Sequence, residues 1–139
     1  MPAFQTLSLP RERTVVAPDG SDVRVLLGLA GGGMAHFSLP PEAVSGAVVH
    51  RTVEEIWFVV GGSGRMWRQQ DGTESVVDLV VGTCLTIPLG TRFQFRAGAE
   101  GLAAVAVTMP PWPGEGEAVP VPGPWTPSAP PVPSMPSLP

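Results

Sequence analysis

Short apolar runs, broken by glycine, proline or Asp-Gly at intervals of 6 to 10 residues, leave this chain little to become except a β protein. The runs fall near 23–27, 34–39, 47–50, 55–60, 65–70, 75–80, 84–87, 92–96 and 102–108. Asp71-Gly72 is the dipeptide of a tight hairpin, and AGGG (30–33) and GGSG (61–64) read as turns. No segment carries a helical period over a useful length. Eight or nine short strands with such punctuation predict an all-β fold, a double-sheet jelly roll or small barrel.

At 139 residues the length suits one domain. The first 22 residues read as an N-terminal arm and first turn, and 23–109 as the barrel. Composition then shifts: 12 of the 30 residues from Pro110 onward are proline. Proline removes a donor and fixes φ, so this stretch forms neither helix nor central strand. Trp112 and Trp125 are out of place in a solvated tail. They predict that 110–125 packs on the barrel or on a partner subunit, with 126–139 disordered.

A net charge of −4 supplies no electrostatic footprint for nucleic acid or anionic membrane. No apolar run is long enough to span a bilayer and no signal peptide opens the chain, so a cytoplasmic protein is expected. Cys84 is the only cysteine and cannot form an intrachain disulfide. There is no Lys, Asn or Tyr. Schiff-base lysine, tyrosine acid and asparagine oxyanion chemistry are therefore closed to this chain.

What remains is two histidines and twelve carboxylates, and one carboxylate is misplaced. Glu55 lies in the apolar run EIWFVV, where one face would carry Glu55, Trp57 and Val59 and the other Ile56, Phe58 and Val60. Both faces are apolar, which predicts burial on both sides. A carboxylate there needs a cation, a metal or donors to meet it. His50 is the nearest candidate.

The stretch from His50 through Glu55 to Gly62 resembles the first motif of the cupin family, with the family's first histidine replaced by Val48. GTCLTIPLGTRF resembles the second motif: Gly82, Pro88 and Gly90 fall in place, Phe93 stands for the third histidine and Ala97 for the closing asparagine. The resemblance covers about residues 23–108. It implies a jelly-roll cupin barrel (a double-stranded β-helix), a small-molecule ligand and a homodimer. It also implies a divalent metal, of whose four ligand positions His50 and Glu55 are kept.

Three roles for that pair stay open. They could be metal ligands, for which imidazole and carboxylate suit Zn, Fe, Mn or Ni. They could be a metal-free acid–base pair, with His50 as base and Glu55 as its orienting or acid partner, serving a lyase, isomerase or cyclase. Or they could be a structural pair in a non-catalytic binding or sensor module. Trp57, Phe93 and Phe95 are candidates to wall an apolar cavity. His36 alternates with Met34 and Ser38 and is a candidate ligand-binding group if that row faces inward. Cys84 and the arginines 65, 68, 92 and 96 read as a strand hydrophobe and solvent-facing cations.

Overall fold

The computed structural model describes residues 2–128. Its nine strands are β1 (Val15–Val16), β2 (Asp22–Leu29), β3 (Gly32–Leu39), β4 (Val48–His50), β5 (Glu54–Gln70), β6 (Thr73–Val80), β7 (Cys84–Ile87), β8 (Arg92–Met109) and β9 (Ala118–Pro120). All pairings are antiparallel, in the order β1-β2-β3-β8-β4-β9, with β5 joined to β6, β7 and β8. No helix occurs among the described residues. The jelly roll is as the strand pattern predicts.

The long strands differ from the sequence reading. Each of β5 and β8 was expected as two strands, yet they pair with each other from Glu54–Met109 to Gln69–Arg92. GGSG is a bend inside β5, with register shifts between Val59 and Gly61 and between Gly62 and Gly64. Gly62 and Gly101 adopt φ of +67° and +81°. A Cβ on Gly62 would strike the Gly101 carbonyl, and one on Gly64 the Arg96 carbonyl. Glycine here lets two paired backbones curl together across the barrel. The true two-residue turn is at Asp71 and Gly72, both with positive φ, between the paired Gln70 and Thr73.

Glu55, Trp57 and Val59 face the core, but Ile56, Phe58 and Val60 are 43%, 46% and 42% exposed. The expected burial of both faces fails in this chain. The outer row continues across the sheet through direct pairs: Cys84 opposite Phe58, Phe58 opposite Val105, Val105 opposite His36.

Inside, Phe37 on β3 and Trp57 on β5 flank β8, where their partners are Ala104 and Ala106. Alanines leave the space above β8 open, and the two rings stack across it, 5.4 Å between centroids and 7° from parallel.

The Pro-rich segment lies against the barrel as far as Ser128. β9 adds three residues to β4, with Pro120 opposite Val48 at the sheet edge. Buried Gln94 donates to the carbonyls of Ser45 and Trp125, and accepts from the Trp125 amide. Arg96 lies over the Trp125 ring at 5.4 Å. Ser128 pairs with Val44 through its amide and hydroxyl. Disorder was expected from residue 126, but 126–128 are tied down; 129–139 lie outside the described residues. The N-terminal arm is also held, since β1 pairs with β2 and the Arg24 guanidinium donates to the carbonyls of Pro10 and Arg11.

Candidate active site

β4 ends at His50 and β5 begins at Glu54, so a turn of three residues presents His50 and Glu55 to one space. Their side chains are 5% and 2% exposed, with His50 Nδ1 4.0 Å from Glu55 Oε1. Trp57, two residues along the same face, donates from Nε1 to that oxygen at 3.1 Å. His50 Nδ1 is buried without a hydrogen-bond partner.

Both line a cavity of about 140 Å³. Trp57, Phe37, Phe93 and Trp112 supply aromatic wall, and exposed Leu27 and Met34 mark its rim. His50 is held edge-on between Phe93 (5.2 Å) and Trp112 (5.1 Å). Trp112 brings an indole Nε1 that is buried and unpartnered. Asp19, from the turn before β2, lines the cavity with Oδ1 accepting from the Ser21 amide and hydroxyl.

The two central groups are shifted in opposite directions. Burial pushes Glu55 up to about 7; the Trp57 hydrogen bond opposes this, and the charges of Asp19 and Glu117 add to it. Burial pushes His50 down to about 4, against the attraction of Glu117. Near neutral pH the imidazole is therefore uncharged, and Glu55 is the group that titrates.

Glu117 was not singled out from sequence. Burial would raise its pKa, but hydrogen bonds from Thr52 and Val53, with His50 nearby, hold it below its ordinary value. It accepts from the Thr52 amide (2.7 Å), the Thr52 hydroxyl (2.6 Å) and the Val53 amide (3.0 Å). The Pro-rich segment thus grips the turn between His50 and Glu55. The only hint in the sequence was a pair of acidic residues in an otherwise apolar tail.

The other candidates divide. Trp57 and Phe93 line the cavity. Phe95 does not; it stands one layer back, edge-on to Trp57 at 4.9 Å. His36 lies in the outward row and does not line the cavity, because Gly33, Ala35 and Phe37 are the inward residues of β3. Burial and the Arg24 charge lower its pKa. Cys84 is exposed. Arg65 pairs with Asp78 at the surface and Arg68 donates to the Thr86 carbonyl; neither they, Arg92 nor Arg96 reaches the cavity.

A resident metal does not fit these residues. Val48 and Phe93, which replace two family ligands, are paired across strands and line the cavity as apolar wall. Glu117 is committed to Thr52 and Val53. Among the described residues no group of three or more His, Cys, Asp or Glu side chains is arranged to hold an ion. Protein metal sites of the relevant kinds use three or four side-chain ligands.

No family profile and no curated protein matches the sequence. Solved structures do match in shape. Coconut allergen cocosin superposes with a TM-score of 0.66 at 23% identity, over 76% of this chain and 30% of its own. A variant of Bacillus subtilis oxalate decarboxylase gives 0.67 at 17%, over 73% and 28%. An 11S globulin from Wrightia tinctoria, described with an auxin binding site, gives 0.65 at 21%, over 76% and 29%. The chain spans about 30% of the length of the first of these. At such identities the likeness speaks of architecture, and it agrees with the strand pairing and the two motif positions: this chain has the cupin fold.

Proposed function

We propose that the chain binds a small molecule in its barrel cavity and transfers a proton on it without a metal, as a lyase, isomerase or cyclase does. The observation that carries this is the 4.0 Å approach of His50 Nδ1 to Glu55 Oε1 inside an aromatic-walled cavity. A general acid–base group works best with a pKa near the working pH. That group is Glu55, pushed up to about 7. The roles read from sequence are therefore exchanged: Glu55 moves the proton, and neutral His50 orients the ligand or Glu55. The fold is also that of a decarboxylase and of globulins, so the choice rests on the site.

Incubation with small cyclic ketones, with and without an amino group, in D2O, followed by NMR, tests the chemistry. Wild type should speed C–H exchange at a bound ligand, and Glu55→Gln should lose about 10²–10⁴-fold of that rate. Equal exchange in both proteins overturns the catalytic role. Binding without exchange leaves a non-catalytic binding module.

The same reading includes a homodimer. Ile56, Phe58 and Val60, continuous with Val105 and Val107, form an apolar outer face, and a second copy of the chain is its proposed partner.

A further inference from the structure

Asp19 and Glu55 both line the cavity, and among the described residues no arginine does. Glu117 adds a third carboxylate close enough to act on His50 and Glu55, and its pKa is held low. His50 is uncharged, so the cavity presents acid without a counter-cation. An acidic cluster alone says little, but His50 Nδ1 is an independent sign. It belongs to a side chain 5% exposed, lines the cavity and has no partner.

We infer that the cavity takes a small organic cation, a protonated amine on a body about the size of one ring, with its N–H groups on Glu55 and His50. The inference rests on the small-molecule reading above and adds the ligand's class. The size follows from the volume: about 140 Å³ is close to the roughly 150 Å³ of an engineered apolar cavity that admits benzene. The charge follows from the walls. An anion would be desolvated beside carboxylates with nothing to neutralise it. A neutral ring would fill the space but gain no charge attraction from Glu55. A cation gains from Glu55 and from the faces of aromatic rings at the same time. Trp112 Nε1, which can only donate, suits an acceptor oxygen on the same molecule.

A bound ammonium also changes Glu55. The groups that face it are Asp19 from the β2 turn, His50 from β4, Trp57 from β5 and Glu117 from the Pro-rich segment. None is a cation at neutral pH, so the ligand supplies the only positive charge and drives Glu55 to its carboxylate. Binding must then release protons.

Isothermal titration of the full chain at pH 7 with benzylammonium, benzyltrimethylammonium, benzyl alcohol and benzoate tests this. Benzylammonium is expected to bind at least tenfold more tightly than benzyl alcohol, with benzoate undetectable. Heats in buffers of different ionisation enthalpy should show proton release on benzylammonium binding, and Glu55→Gln should reduce its affinity to that of benzyl alcohol. If benzyl alcohol or benzoate binds as well as benzylammonium, the charge assignment is overturned while a small-molecule site stands. Equal binding of benzyltrimethylammonium overturns the hydrogen bonds to Glu55 and His50. Binding without proton release, read in wild type alone, removes Glu55 from the account. Failure of all four probes overturns the small-molecule reading itself.

Discussion

Glu117 is hydrogen-bonded to Thr52 through both carboxylate oxygens, at 2.7 Å to the amide and 2.6 Å to the hydroxyl, across 65 residues of chain. Thr52 is in the turn that sets His50 against Glu55. The same carboxylate takes the Val53 amide, so the turn's donors depend on a side chain from the Pro-rich segment. Glu117→Ala leaves buried donors unmet, which costs about 1–3 kcal/mol. A thermal melt should show that loss, and ligand affinity should fall with it. Glu117→Gln, which can still accept, should recover part of both. An unchanged melting temperature in the alanine variant would show that the clamp is idle.

Glu55 makes the stability of the protein depend on pH in a direction opposite to most carboxylates. Its folded pKa of about 7 lies above the ordinary 4.5, so the folded state holds the proton more tightly. Stability contributed by this group is full below about pH 4.5 and declines as pH rises toward 7. Glu55→Gln resembles the protonated form. It should melt close to wild type near pH 4.5 and gain on it above, by at most about 1.4 kcal/mol per pH unit. A constant difference across that window would mean that Glu55 is ionised in the fold.

His50 works the other way. Its folded pKa of about 4 lies below the ordinary 6.5, so its contribution is lost as pH falls from about 6.5 to 4. Histidine NMR of the intact chain should show one imidazole still neutral at pH 5. Removal of the chain after Met109, which takes Trp112 and Glu117 away, should return that titration toward 6.5 and lower the melting temperature. If neither changes, the Pro-rich segment is no part of the site.

A charge placed on the outer face should separate the proposed dimer. Phe58→Glu leaves Trp57 and the cavity on the opposite side of the strand. Light scattering should fall from the mass of two chains to that of one, with the fold kept. A wild type already monomeric would refute the dimer directly.

Metal content separates this site from one with a full ligand set. Purified protein should carry well under one Zn, Fe, Mn or Ni per chain by elemental analysis, and chelator should leave its melt unchanged. Val48→His with Phe93→His supplies two more imidazoles at a directly paired position beside His50, and that variant should melt higher when Zn is added. A stoichiometric metal in wild type would overturn the account of Glu55.

Much of the fold was legible because strands of alternating burial and an Asp-Gly hairpin are local signals. The bend at Gly61–Gly64 was not, since a glycine cluster looks the same as a turn until the carbonyls of Arg96 and Gly101 are brought against it. His50, Glu55, Trp57 and Phe93 could be found by spacing. Phe95 shares Phe93's face, yet the curl of β8 carries it behind Trp57. The alternation of Met34, His36 and Ser38 was visible, but which side faces in depends on pairing with β8. Glu117, Trp112 and Asp19 reach the site only by long-range folding, with no spacing rule to announce them.

The Pro-rich segment closes the cavity and comes after every other part of it in the chain. During synthesis, Asp19, His50, Glu55, Trp57 and Phe93 are all added to the chain before Trp112 and Glu117. At about 5–20 residues per second, roughly one to four seconds separate Met109 from Ser128. A chain stopped early in that interval carries His50 and Glu55 but lacks the residues that complete the cavity wall. The wall of the proposed binding cavity is therefore complete only once translation has passed β9.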